Sequence, residues 1–242
     1  KVLKRNDKRK INILLKNINK NIMRIFVINA YPSRKEKYLK DKRYEIFPAV
    51  WWEDVSDEEV EKYHFRWNAK EGYRKKVVAC SLSHKNLMKK IIQEDLKEVV
   101  IIEDDALVDF ERLGELKDIQ DFCYIGGQIN APVIKDFKNF EKIKDSVRDN
   151  FTSGVNKIDS KEFRLVHACG YYIPNASVAQ GILSNIPANP KERAIDREFL
   201  NLQRKQKITD FIYPAIVSLY LPDANEGFNY SNYKLIDDQS KY

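Results

Sequence analysis

Glu98-Val99-Val100-Ile101-Ile102-Glu103-Asp104-Asp105 is the stretch that decides the fold class. Its β-branched run suits a strand buried on both faces, as in a sheet covered by helices on each side. The run stops abruptly in adjacent carboxylates. Such acids repel one another and tolerate burial only where something positive neutralises them. A strand of this kind delivers its acids to the carboxyl edge of an open sheet, where α/β proteins hold ligands. Oxygen ligands select hard divalent cations such as Mg2+ or Mn2+, which usually share their shell with substrate phosphates. Glu103 and Asp105 stand at i and i+2, so an extended chain puts both on one face. The competing reading is a solvated acidic turn with no ligand.

Working outward, Val77, Cys80, His84, Leu87, Met88, Ile91 and Ile92 recur at helical spacing, which predicts a helix over 77–97. Upstream, Ile25-Phe26-Val27-Ile28-Asn29 reads as a buried first strand ending in the turn Ala30-Tyr31-Pro32-Ser33-Arg34. A charged helix over 34–42 and a strand over 44–50 follow. Residues 51–76, with Trp51, Trp52 and Trp67, read as an irregular excursion holding one short helix. Downstream, Phe122 to Ile125 is a strand closed by the turn Gly126-Gly127, and 131–162 is charged and loop-rich. Leu165 to Pro174 reads as a strand closed by its proline, followed by a helix over 176–186 and another opening at Ala194. One or two strands between Ile208 and Tyr220, broken by Pro214, complete the pattern. The alternation predicts an α/β domain over 24–242 with a mixed, mostly parallel sheet.

The chain has 242 residues, and 43 basic against 36 acidic side chains give a net charge of +7. With 43% hydrophobic and 33% charged residues it is neither a disordered nor a collagenous chain. No apolar run approaches the roughly 18 residues of a membrane span. Cys80, Cys123 and Cys169 are odd in number and widely spaced, which predicts neither a disulfide framework nor a zinc site and favours a reducing, cytoplasmic setting. No signal-peptide pattern is visible, and the start at Lys1 rather than Met reads as a piece of a longer chain. Residues 1–23 are set apart as a basic amphipathic arm or linker. Asp7 is the lone acid there, and Ile11, Leu14, Leu15, Ile18 and Ile22 recur at helical spacing. Such an arm suits peripheral contact with an anionic membrane, or packing against its own domain. Past it the charges are mixed and no RNA- or DNA-binding motif is present, so no nucleic-acid partner is expected.

Six blocks stand out: Ile25–Asn29 with Arg34, Phe47-Pro48-Ala49-Val50, Ala79-Cys80-Ser81-Leu82-Ser83-His84, Val100–Asp105, His167-Ala168 with Tyr171-Tyr172-Ile173, and Ala194-Ile195-Asp196. Together these blocks resemble glycosyltransferase family 25, which includes bacterial lipooligosaccharide galactosyltransferases and collagen-modifying β-galactosyltransferases. The blocks stand in the family's order. Ala79 replaces the glycine of the family's G-C-x-x-S-H block, and Ala30-Tyr31-Pro32 departs from the residues usual after Asn29.

The resemblance implies a GT-A-type, Rossmann-like domain that moves a hexose, galactose or glucose, from a UDP-sugar. The acceptor hydroxyl would lie on a glycan, a lipooligosaccharide or other lipid-linked acceptor, or a hydroxylysine-type protein. It implies an inverting single displacement. Glu103 and Asp105, with His167, are the expected ligands of Mn2+ or Mg2+. Asn29, Arg34, His84, Asp104 and Gly127 are the expected contacts to the UDP-sugar. Asp196 is the expected base, with Glu198 and Asp210 in reserve. Each has a structural alternative: Arg34 and Asp196 as helix-start charges, His84 as a packed core residue, Gly127 as a plain turn. Two other functions compete. One is a degenerate binding or scaffolding domain. The other is a nucleotidyltransferase or nuclease, although the Gly-rich loop of the first and the D/E-x-K of the second are missing.

Overall fold

The structure, a computed structural model, describes residues 23–65, 70–130, 149–187 and 193–219. The basic arm lies outside the described residues except for Met23. Among the described residues no helix is long and apolar enough to cross a membrane.

The acidic-ended run forms β3 (Lys97–Glu103), and Ile25 to Asn29 fall in β1 (Arg24–Asn29). These pair in parallel, and β2 (Tyr44–Pro48) pairs in parallel with the other edge of β1. On its far side β3 pairs antiparallel with β9 (Gly170–Asn175), which pairs antiparallel with the short β5 (Cys123–Tyr124). Beyond it lie β10 (Asp210–Tyr213), parallel to β5, and the antiparallel edge strand β7 (Gly154–Lys157). The seven-stranded order is β2-β1-β3-β9-β5-β10-β7. The sheet is mixed, as expected, but parallel and antiparallel pairs are equal in number rather than mostly parallel. Two of the three parallel pairs lie in the β2-β1-β3 half, and the third joins β5 to β10. Two small antiparallel sheets join β4 (Ala106–Val108) to β11 (Val217–Leu219) and β6 (Gln128–Asn130) to β8 (Arg164–Val166).

Strand periodicity explains the two-sided burial. Phe26, Ile28, Val99 and Ile101 face one apolar layer, whereas Ile25, Val27, Val100 and Ile102 face the other. The first layer is closed by α3 (Glu71–Gln93), α4 (Ala176–Asn185) and α5 (Ile195–Arg204), through Leu87, Met88, Ile182 and Phe199 among others. The second is closed by Tyr38 of α1 (Pro32–Leu39) and by Leu116, at the end of a 3-10 turn. A short α2 (Asp57–Glu61), capped by Ser56 Oγ, belongs to a third cluster with Val55, Tyr63 and Val78.

Three local readings change. The long helix begins at Glu71, six residues before its apolar stripe suggests, because its first turns are partly exposed. The expected strand over 165–174 is two strands, β8 and β9, in different sheets. His167 between them takes a positive φ of 69°, which turns the chain from one sheet into the other. Pro174 lies inside β9 instead of ending it. The pairing of β5 reaches only Tyr171 and Tyr172, so at Pro174 that edge needs no N–H donor. Gly170, which opens β9, sits so close to Val217 that a Cβ would fall 2.7 Å from that side chain.

Candidate active site

The carboxyl ends of β1 and β3 open onto a cavity of about 1030 Å³. Arg34, Glu103, Asp105, His167 and Asp196 all line it. They come from the start of α1, the end of β3, the β8–β9 turn and the start of α5. Aromatic and basic residues, including Trp52, Tyr73, Lys76 and Arg193, line its remaining wall.

The adjacent acids are put to different uses. Asp104 is 4% exposed. Its Oδ2 accepts from Asn29 Nδ2 at 3.0 Å, Ala30 N at 2.8 Å and Tyr31 N at 2.9 Å. Its Oδ1 accepts from Arg34 Nη1 at 3.0 Å. Asp104 therefore ties the loop after β1 to the end of β3, with both oxygens engaged. Asp105 is the opposite case. Its Oδ1 is buried and has no hydrogen-bond partner among the described residues, and Arg34 Nη1 stands 4.0 Å from its Oδ2. Burial, then the charges of Glu103 and Asp104, push its carboxyl up to about 7 against the partial relief of Arg34.

Glu103 opens on the cavity but is otherwise surrounded by protein. Burial alone would raise its pKa. The hydrogen bond from His84, the neighbouring imidazoles of His84 and His167 and the contact with Cys80 outweigh that and hold it below the ordinary range. His84 is fully buried, with Nε2 3.2 Å from Glu103 Oε1 and Nδ1 2.8 Å from Tyr171 Oη. Burial lowers the pKa of His167 against the pull of Glu103 and Asp196, which favours a neutral imidazole.

Four of the expected donor contacts do not reach the cavity. Asn29 spends its amide on Asp104 and on Tyr31 O, at 2.9 Å. Asp104 is consumed by the loop. His84 lies behind Glu103. Gly127 sits elsewhere, at a φ of 108°, where a Cβ would lie 2.7 Å from Val166 O, so its lack of a side chain serves the β6–β8 sheet. Arg34 does line the cavity, its guanidinium 4.6 Å from the Tyr31 ring centroid. Of the reserve bases, Glu198 is 1% exposed and turned into the interior. Asp210 lies on β10 and accepts from Thr209 Oγ1 at 3.0 Å.

The Ala79–His84 block supplies residues that spacing alone did not single out. Ser81 Oγ accepts from Ile195 N at 2.9 Å and so fixes the start of α5, beside Asp196. Ser83 Oγ accepts from Val50 N at 2.8 Å and holds the chain after β2. Cys80 is not a packing residue like Cys169. It is exposed toward the cavity, where loss of surrounding water within the walls plus the charge of Glu103 push its thiol well up. Helical geometry sends these neighbouring side chains in different directions, so one block braces three parts of the site.

Residues 2–197 match the family described as glycosyltransferase family 25 (LPS biosynthesis protein). No curated protein matches the chain. The family match covers well over half of the sequence, and the chain belongs to glycosyltransferase family 25.

Proposed function

We propose that this member of glycosyltransferase family 25 moves a hexose, galactose or glucose, from a UDP-sugar to a hydroxyl of a glycan, lipid-linked or protein acceptor, by a metal-dependent inverting displacement in a GT-A-type domain. The observation that carries the reading is the meeting of Arg34, Glu103, Asp105, His167 and Asp196 around one cavity, from positions spread over more than 160 residues.

The donor set fits a hard divalent cation. Asp105 offers a buried oxygen without a partner, Glu103 an ionised carboxylate and His167 a neutral imidazole. Bound there, Mn2+ or Mg2+ supplies charge neutralisation to the departing diphosphate. Arg34, already drawn toward Asp105, is placed to share that charge. Asp196 takes the proton of the acceptor hydroxyl as its oxygen bonds to the anomeric carbon and the bond to UDP breaks. The base has to come within about 3 Å of that hydroxyl in the productive complex. Asn29 and Asp104 serve indirectly, by holding the turn that leads into α1 and, through Asp104, the Arg34 guanidinium itself.

UDP release from a panel of UDP-hexoses, with Mn2+ and with EDTA and no added acceptor, tests the reading. Slow hydrolysis of one donor, abolished by EDTA, is the expected result. No release from any donor, together with no UDP binding by calorimetry, overturns it in favour of a non-catalytic domain.

A further inference from the structure

The family reading uses oxygen-rich ligands at the mouth of the cavity, but beside Glu103 the same wall carries a softer pair, Cys80 and His84, that it leaves unused. Cys80 and His84 stand four apart on α3, so they share a face, and Glu103 meets them from the end of β3. Cys80 Sγ lies 3.7 Å and His84 Nε2 3.2 Å from Glu103 Oε1. One ligand atom from each residue falls within 4.8 Å of the others. A tetrahedral zinc ion, with its usual bond lengths to S, N and O, separates its ligand atoms by about 3.4–3.6 Å. Two of the contacts already stand within a few tenths of an ångström of that spacing. The remaining one closes by at most about 1.4 Å, within the reach of side-chain rotation.

Two independent features support a metal site. Metal-bound histidines are usually held through their other ring nitrogen, and His84 Nδ1 has Tyr171 Oη at 2.8 Å. Zinc at Nε2 takes the place of the proton that His84 now donates to Glu103, and the ring keeps its one proton on Nδ1, which donates to Tyr171 Oη. Access is the second feature: Cys80 and Glu103 line the cavity, while buried His84 closes the back. Three protein ligands with a fourth position facing open space is the pattern of an accessible zinc site.

We propose that Cys80, His84 and Glu103 form a thiolate–imidazole–carboxylate site for Zn2+, distinct from the oxygen-rich cation site proposed for transfer. Binding releases the Cys80 thiol proton to solvent as the Zn–S bond forms. Because Glu103 serves both sites, zinc seated here withdraws it from the donor side and competes with Mn2+. The binding itself does not depend on the glycosyltransferase reading.

Co2+ titration of the whole chain, followed by absorption, tests the site. The expected result is a near-ultraviolet thiolate-to-cobalt band with the visible bands of a tetrahedral ion, displaced by Zn2+. Cys80→Ser removes the thiolate band, Tyr171→Phe weakens Co2+ affinity about 10–100-fold, and Asp105→Asn leaves the band in place. No thiolate band with folded wild-type chain, or a band that survives Cys80→Ser, overturns the proposal. Should Cys80→Ser fail to fold, peptide-mapped maleimide labelling of the wild-type chain decides. Zn2+ must protect Cys80 from the reagent, and an unprotected Cys80 refutes the site. Cys123 and Cys169, both buried, serve as internal controls.

Discussion

Asp104 and Asp105 are neighbours in sequence and opposites in the fold. On the inner side of the β3 terminus, Asp104 is tied by Asn29, Ala30, Tyr31 and Arg34 into the loop that follows β1. On the outer side, Asp105 faces the cavity with one buried oxygen unsatisfied and a raised pKa. The difference teaches that an acidic cluster divides its labour. A carboxylate surrounded by donors builds the site, whereas one left short of donors is ready for a ligand that brings positive charge.

Substitutions at the two positions should therefore fail in opposite ways. The largest effect expected is on activity: Asp105→Asn should lower UDP release at least about 10³-fold, equivalent to about 4 kcal/mol of barrier. Its metal-free melting temperature should stay level or rise, since a like-charge cluster is relieved. A collapsed melting temperature would make Asp105 structural and erase the contrast.

Asp104→Ala should do the reverse. It strands buried donors and the Arg34 guanidinium, a loss of about 3–4 kcal/mol. That lowers the melting temperature by roughly 10 °C for a chain of this size. A thermal scan showing no loss would mean that the loop holds itself.

The pH response sharpens the same comparison. The Asp105 carboxyl lies at about 7 in the fold against 3.8 as the unfolded reference, so the folded state binds its proton more tightly. Its contribution to stability is fully present below about pH 4 and is lost as pH rises through about 7. The metal-free wild type should thus melt at the same temperature as Asp105→Asn near pH 4. It should fall behind by several degrees at pH 8, about 1–3 kcal/mol. Added Mn2+ should narrow that gap, because the ion favours the ionised carboxylate. A gap independent of pH would contradict the raised pKa.

The smallest effect concerns the brace behind Asp196. Ser81→Ala leaves Ile195 N without its acceptor and should cost about 1 kcal/mol, a shift of roughly 2–4 °C in melting temperature. UDP release should fall with it if the start of α5 positions the base.

Much of this was legible in the chain itself. The apolar runs of β1 and β3 announce strands buried on both faces, and the acids after Ile102 announce a ligand edge. Arg34, Glu103, Asp105, His167 and Asp196, singled out by residue type and family pattern, do line one cavity. The other half of the sheet was harder to read. The run at Phe122 to Ile125 announces β5, but the edge strand β7 spans four residues inside a stretch that reads as loop, too short for periodicity to register. The insertion of β9 between β3 and β5 depends on contacts distant in sequence. His84 illustrates the limit: its place on an apolar stripe is local information, but its bonds to Glu103 and Tyr171 are not.

By itself, then, the sequence determined the fold class, the family and the edge of the sheet where the acids gather, because periodicity and motif order are properties of short stretches. Only the tertiary structure decided which acid is bound up and which is left open, that Cys80 faces a cavity, and that Ser81 and Ser83 brace it. The reason is physical. Whether a buried carboxylate builds or binds depends on the donors within about 3 Å of it, and those of Asp104 come from residues at least 70 positions away.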